Sequence, residues 1–450
     1  MDLRNRKVTL VGMGKTTLAA VRLLLREHAE PFVTDKAPRE DVLKAAETLE
    51  SLGVSYECGG HTDRAFSGAE YVIPSPGVDP RIGPIAEATR DGARILCEME
   101  LASRFNRSKV LAVTGTNGKT TTTELLRALV ASCGHEVLLA GNNEMPFSAA
   151  VLVEPAPEFI VLEVSSYQAE LNQTFRPWVA AVLNVTPDHL ARHDSMVGYA
   201  EAKARLLAMQ QESDCAVLNA DDPLVETMAA LTKASCRRFS LTRRVTQGLW
   251  SDGDGIFEGD DQVAASSDIL LKGRHNLANV LAALAMMRAG AFDWEGTLEG
   301  LRRFRGVEHR IEFVASVNGV DYYNDSKSTN IESLRVALES FDIPVILIAG
   351  GRGKGADYRV LLDLVTRRVK RMITIGEDAP LLEEAFADRV RTERAGDLPY
   401  AVRRASAVAE PGDIVLLSPA CASFDMFTGF EHRGRVFKEC VRSLEGGDSR

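Results

Sequence analysis

The sequence predicts an α/β protein folded as three domains, and three observations carry that reading. Short apolar strands alternate with amphipathic helices, and the alternation begins afresh three times along the chain. Strands that are apolar throughout, each leading into a helix, belong to parallel sheets covered on both faces. At 450 residues the chain is also too long for one ordinary core.

The first unit opens with a strand at Lys7 to Val11, which passes through Gly12-Met13-Gly14 into a periodic helix near Leu18 to Arg26. A second strand, Pro31 to Thr34, ends on Asp35; Tyr71 to Ile73 stops at Pro74-Ser75-Pro76-Gly77, and Ala93 to Leu96 closes the unit. The second unit starts with a strand at Lys109 to Val113, followed by a glycine loop and a helix. Its later strands are expected at Phe159 to Val164, Val179 to Val185 and Ala216 to Leu218. From Arg237 to Ile269 the pattern turns polar and Gly-rich, which predicts short hairpins appended to the sheet; a helix follows at Asn276 to Arg288. The third unit holds strands at Val345 to Ile348, Met372 to Ile375 and Ile414 to Leu417, separated by helical stretches. Boundaries are expected near residues 98 and 308, giving domains 1–98, 99–308 and 309–450.

Composition excludes several classes. The net charge is −10 with no dense Lys/Arg run, whereas a nucleic-acid backbone demands a basic surface. No apolar run approaches the roughly 18 residues of a membrane span, and Val8 to Gly12 is too short for a signal peptide. Seven scattered cysteines without a Cys-x-x-Cys pair read as reduced thiols. A cytoplasmic protein without membrane insertion is expected, acting as a monomer on small molecules. Cys421 reads as a buried small hydrophobe. Asp252-Gly253-Asp254-Gly255 fails as a calcium loop, since its glycine spacing is wrong and Val263 stands at the twelfth position.

The sharpest local signal is Thr114-Gly115-Thr116-Asn117-Gly118-Lys119-Thr120-Thr121, set between a strand and a helix. Glycines let backbone N–H groups approach phosphate oxygens, and the new helix turns its positive end toward them. Lys119 suits β/γ-phosphates and the Thr120 hydroxyl suits Mg²⁺. Val113 stands where the strict phosphate-loop pattern has glycine, so this is a variant loop. Gly12-Met13-Gly14-Lys15-Thr16-Thr17 has the spacing of neither nucleotide fingerprint and reads as a tight turn, with a phosphate or uridine contact as the alternative.

Further candidates lie beyond the central strands. Glu163 and His189 follow predicted parallel strands, at the ends where open α/β sheets place ligands. On residue physics alone, Lys203 in its helix faces solvent. In the last third, Asn324 to Asn330 places Asp325 like a ribose or metal contact. Gly350 to Gly355 and Ser418 to Ser423 follow strong strands, and donors there suit a substrate with more than one carboxylate.

In their order along the chain these segments resemble the Mur ligases. The resemblance is carried by residues 115–121, 162–168 (Leu-Glu-Val-Ser-Ser-Tyr-Gln), 183–190 (Leu-Asn-Val-Thr-Pro-Asp-His-Leu) and 272–276 (Lys-Gly-Arg-His-Asn). His309-Arg310, 324–330 and 418–425 complete it; the last two, with 350–354 and Phe430, are similar to the D-glutamate-adding branch. The resemblance implies Rossmann-like N- and C-terminal domains around a central P-loop-type domain with an added small β region. It implies an ATP-dependent ligase that joins D-glutamate to UDP-N-acetylmuramoyl-L-alanine through an acyl phosphate, in peptidoglycan precursor synthesis.

Carried over by position, Lys119, Glu163, His189 and Lys203 would be catalytic. ATP would meet Gly115, Thr116, Asn117, Gly118, Lys119, Thr120, Thr121, Asn276, Asn279, Arg310 and Asp325. Two Mg²⁺ sites are implied, one on Thr120 and Glu163, the other on His189 and a carbamylated Lys203. The nucleotide sugar would meet Lys15, Thr16, Asp35, Lys36, Gly77, Asn142, Ser165 and His189. D-glutamate would meet Lys327, Thr329, Lys354, Ser423 and Phe430. The chain departs from the family pattern with Lys-Thr-Thr at 15–17, where Lys-Thr-Gly is expected, and with Gly-Asn-Asn-Glu at 141–144, where Gly-Asn-Ile-Gly is usual. A P-loop kinase or a nucleotide switch would share the glycine–lysine loop. Neither calls for His189, Lys203 and Arg310 with a full third domain. The nearer rivals are another Mur ligase or a folylpolyglutamate synthase, which shares the ATP loop.

Overall fold

The computed structural model describes residues 2–142, 145–188, 190–271, 273–353 and 355–445. They form two compact units, one of Met1–Asp268 with Ala278–Leu301, the other of Ile269–Leu277 with Arg302–Arg450.

The first unit contains two sheets. Strands β1 (Lys7–Val11), β2 (Glu30–Asp35), β3 (Ser55–Cys58), β4 (Tyr71–Pro74) and β5 (Arg94–Ile95) form one, in the order β3-β2-β1-β4-β5. Each of its neighbours pairs in parallel. The helix Lys15–Arg26 turns Ala19, Ala20, Leu23 and Leu24 into the core and leaves Arg22 outside. Each such leucine contributes about 1.5–3 kcal/mol on burial. This helix starts at Lys15 and not at Leu18, because the turn at Gly12, with φ +100°, lets the chain enter it at once. Strand β3 escapes sequence reading because it is a half-buried edge of four residues with little apolar character.

The second sheet takes β6 (Lys109–Thr114), β7 (Val137–Gly141), β8 (Phe159–Glu163), β9 (Val179–Val182), β10 (Cys215–Asn219), β11 (Ser235–Ser240), β12 (Gly248–Ser251), β13 (Gly255–Glu258) and β14 (Asp261–Ala265). Their order is β14-β13-β12-β11-β10-β9-β6-β8-β7. Pairing is parallel as far as β12; β13 and β14 then add as antiparallel hairpins, as the polar stretch predicts. The Asp252 carboxylate accepts the N–H groups of Asp254 and Gly255, so the acidic cluster there is turn chemistry. Val280 to Met287, in the helix Arg274–Ala289, is completely buried.

The two sheets share one core cluster, from Leu3 through Phe147 to Ala234. They are pinned at the helix Glu98–Ser103. Its Glu100 carboxylate accepts the backbone N–H groups of Gln173, Thr174 and Phe175 at 3.1, 2.9 and 3.1 Å.

The second unit has β15 (Glu312–Val317), β16 (Val320–Asn324), β17 (Val345–Gly350), β18 (Val369–Ile375), β19 (Thr392–Arg394) and β20 (Ile414–Leu417), in the order β15-β16-β20-β17-β18-β19. Only the pair β15–β16 is antiparallel. The sequence reading omits this hairpin, although Asn318-Gly319, at φ +53° and +77°, is a strong two-residue hairpin signal.

Candidate active site

The glycine loop sits between β6 and the helix Lys119–Ser132. Gly118 has φ +86°, and a Cβ on it would lie 2.1 Å from Asn279 Oδ1. Left-handed backbone and close approach both restrict the position to glycine. The same close approach sets the Asn279 side chain against the loop. Asn184, which sequence reading passes over, clamps the loop from beyond β9. Its Oδ1 accepts from Asn117 N at 2.8 Å, its Nδ2 donates to Asn117 O at 3.1 Å, and its carbonyl accepts Thr116 N at 3.0 Å. The Lys119 ammonium donates to the carbonyls of Gly115 and Thr116 at 2.9 and 2.8 Å. A cation, a helix N-terminus and fixed backbone amides thus share one loop, as phosphate binding requires.

Glu163 ends β8, beside Val113 of β6 and Gly141 of β7 in register. It is buried, its Oε1 accepts Asn142 Nδ2 at 3.1 Å, and its Oε2 has no hydrogen-bond partner among the described residues. An orphaned buried carboxylate oxygen is costly without a cation, and a hard oxygen donor suits Mg²⁺. Asn142, expected at the nucleotide sugar, instead donates its side-chain amide to this carboxylate.

Lys203 corrects the solvent-facing expectation. It is 1% exposed, and its Nζ donates to the Gly115 carbonyl at 2.9 Å and lies 4.3 Å from the centre of the Tyr199 ring. Burial, then repulsion from Lys119, bring its ammonium down to about 7. Helical periodicity cannot show this, because the covering residues come from distant segments. His189 and Lys354 lie outside the described residues.

Lys15, Thr16, Asp35, Lys36 and Gly77, expected from the resemblance at the nucleotide sugar, collect at the C-terminal ends of β1, β2 and β4, which are neighbours in the sheet. Asp35 accepts Met13 N at 2.6 Å and Ala37 N at 2.8 Å, joining two of these turns. The departure at Thr17 is structural. Its buried hydroxyl donates to Gly12 O at 2.6 Å and meets Ser75 Oγ at 2.8 Å. Ser165, just past Glu163, caps the helix Ser166–Ala169 in a reciprocal capping box with Gln168.

The second unit gathers Arg310, Asp325, Lys327, Thr329, Ser423 and Phe430, and also carries Asn276. Asp325 is buried between Ile311 N at 3.2 Å and Ser418 Oγ at 2.7 Å, and burial pushes its carboxyl up to about 7. The Lys327 ammonium lies 5.9 Å from the centre of the Phe430 ring, and the Phe430 carbonyl accepts Ser326 Oγ at 2.8 Å. Ser423 is buried. Arg352, in the glycine turn read as anion-receptive, forks onto Glu377 at 3.0 and 2.8 Å. Cys421 is buried as expected, with its thiol pushed up to about 11 by burial.

Sequence reading misses Arg433. This arginine is 1% exposed and donates to Ser326 Oγ at 2.9 Å, Ser326 O at 2.8 Å and Cys421 O at 3.1 Å. It therefore ties the 324–330 loop to the 418–425 loop. Its residue type hides it, because an arginine is read as solvent-facing even though Arg433 shares one helix face with the buried Phe437 and Val441 at four-residue spacing.

Three family descriptions match the chain: the MurD-like N-terminal domain of Mur ligases over residues 6–97, the Mur ligase middle domain over 113–287, and the Mur ligase glutamate ligase domain over 309–421. The UDP-N-acetylmuramoylalanine–D-glutamate ligase of Pelotomaculum thermopropionicum is 42% identical over 99% of this chain and 99% of its own. Those of Acidobacterium capsulatum and Koribacter versatilis are each 41% identical, over 99% of this chain and 98% and 99% of their own. The crystal structure of the UDP-N-acetylmuramate–alanine ligase of Thermotoga maritima shares the fold. Its TM-score is 0.56 at 17% identity, covering 97% of this chain and 99% of that one. A UDP-N-acetylmuramoyl-L-alanyl-D-glutamate–2,6-diaminopimelate ligase structure has TM-score 0.59 at 18% identity, covering 93% of each chain. The chain belongs to the Mur ligase family and, within it, to the UDP-N-acetylmuramoylalanine–D-glutamate ligases.

Proposed function

We propose that this chain joins D-glutamate to UDP-N-acetylmuramoyl-L-alanine, with ATP as the energy source, in peptidoglycan precursor synthesis. The observation that carries the reading is a phosphate loop with Lys119, Lys203 and a cation-seeking Glu163 around it, in a chain matching D-glutamate ligases end to end. ATP enters the Gly115–Thr121 loop, and Lys119 neutralises its phosphates. The L-alanyl carboxylate attacks the γ-phosphorus, expelling ADP and leaving an acyl phosphate. The D-glutamate amine then displaces phosphate and loses its proton, forming the amide.

Mg²⁺ would be held by Thr120 and Glu163 at one position, and by His189 with a carbamylated Lys203 at a second. It supplies neutralising charge where two anions must meet. Asn276, Asn279, Arg310 and Asp325 take the rest of the nucleotide; Lys327, Thr329, Lys354, Ser423 and Phe430 take D-glutamate. Lys15, Thr16, Asp35, Lys36, Gly77, Asn142, Ser165 and His189 receive the nucleotide sugar. The labour divides over domains 1–98, 99–308 and 309–450, and the enzyme works as a cytoplasmic monomer. Among the described residues no helix is long and apolar enough to cross a membrane.

The test is incubation with ATP, Mg²⁺, UDP-N-acetylmuramoyl-L-alanine and single amino acids, scoring phosphate release. D-glutamate alone should support turnover. Release with diaminopimelate or lysine but not D-glutamate overturns the reading.

A further inference from the structure

Arg192 leaves the short helix Leu190–His193 and reaches two other segments of the first unit. Its Nε and Nη2 fork onto the Glu170 carboxylate, with Nε 3.3 Å from Oε2. Nη2 also donates to the Val78 carbonyl at 3.3 Å, and Nη1 lies 3.6 Å from Asp79 Oδ1. The guanidinium carbon stands 5.5 Å from the centre of the Tyr167 ring.

Its side chain is 12% exposed, whereas Arg81, which crosses the same gap to Asp194 at 3.2 Å, is 58% exposed. An exposed ion pair contributes little, while a shielded fork onto a carboxylate fixes distance and direction together. Arg192 is therefore the stronger of the two links between these segments.

The segments it joins lie at the ligand ends of two sheets. Val78 and Asp79 follow β4 directly after Gly77, in the loop that receives the nucleotide sugar on the functional reading above. Glu170 closes the helix that begins just past Glu163. The helix bearing Arg192 continues the segment whose Asn184 clamps the phosphate loop. One guanidinium thus sets the spacing between the uridine-nucleotide end of the substrate and the place where its carboxylate must meet ATP.

We propose that Arg192 is a positioning residue for the nucleotide-sugar substrate, acting through the 78–79 backbone without touching the reacting atoms. The inference rests on the functional reading, and wild type assayed in parallel separates the two. Arg192→Met and Arg192→Lys are made in the full chain. Binding of UDP-N-acetylmuramoyl-L-alanine is measured by calorimetry without ATP or metal, and KM is measured for each substrate.

Arg192→Met should weaken nucleotide-sugar binding about tenfold or more and raise its KM in parallel. The KM values for ATP and D-glutamate should stay within about twofold, because their contacts do not run through Arg192. Lysine keeps the charge but not the fork, so Arg192→Lys should fall between. Asp79→Asn should weaken binding less, and should add little on top of Arg192→Met, since the two share one interaction. An unchanged nucleotide-sugar Kd in a folded variant overturns the proposal, and so does an equal rise in all three KM values, which marks a purely structural bolt. If Arg192→Met does not fold, unchanged binding in both Arg192→Lys and Asp79→Asn overturns it equally. Wild type that neither binds nor turns over this substrate overturns the functional reading itself, and the inference with it.

Discussion

The Lys203 ammonium donates to the Gly115 carbonyl at 2.9 Å, so a residue 88 positions further along the chain closes the back of the phosphate loop. Lys119 donates to the same carbonyl at 2.9 Å. Burial of Lys203 works against its charge first, and repulsion between the two lysines on one carbonyl adds to that pressure.

That pressure favours the neutral amine, the form that reacts with CO₂. An ammonium has no lone pair for a metal, whereas a carbamate offers hard anionic oxygens. Lys203→Ala should lose at least about 99% of turnover, the scale on which removal of a catalytic charge-stabilising group is felt. Short carboxylic acids should restore part of it. Lys203→Arg should remain inactive, and a near-normal rate in that variant would end the carbamate assignment.

Lys119 is the loop's own cation. Lys119→Ala should abolish ATP-dependent phosphate release while leaving the far-ultraviolet circular dichroism unchanged, since a half-buried lysine at the first helical position adds little to the core. Persistence of more than a tenth of the activity removes Lys119 from the phosphates.

Ser423 is buried next to Phe424, which is 66% exposed, at the edge of the loop that Arg433 ties to Ser326. A hydroxyl donor there suits one of the two carboxylates of D-glutamate. Ser423→Ala should raise the KM for D-glutamate about tenfold, the order of one lost hydrogen bond to a charged group, and leave the KM for ATP nearly unchanged. Equal effects on both substrates would take Ser423 out of the amino-acid site.

Glu100 supplies the pH-dependent anchor between the first two sheets. Burial alone would raise its carboxyl, but the Thr174 hydroxyl, the N–H groups of Thr174 and Gln173, and Arg104 together hold it below the ordinary glutamate range. A carboxyl depressed in the folded state stabilises at neutral pH, and that stabilisation is lost as pH falls through its folded pKa. Glu100→Gln should cost about 2 kcal/mol near pH 7, read as a lower urea midpoint. The gap to wild type should narrow below about pH 4. A gap that stays constant down to pH 3 would falsify the charge argument.

The sequence by itself determined the alternation of strand and helix, the central strands of the three sheets and the loop at 115–121. These are local properties: apolar strands, a glycine that must turn, a lysine at a helix start. The order of motifs also fixed the family, because each motif is a short run readable in isolation. Even the hairpin turn at Asn318-Gly319 was there to be read. What only the tertiary structure decided is which charges are buried. Lys203 sits in a helix with no defined apolar face and Arg433 on the apolar face of its helix, where a guanidinium is not expected, and they are covered by chain from 88 and 107 positions away. Asn142 turns to Glu163, Thr17 to Ser75, and Arg192 to Glu170 and Val78, for the same reason. Burial and pairing depend on which distant segments meet, and strand order across a sheet settles that, not the neighbours along the chain.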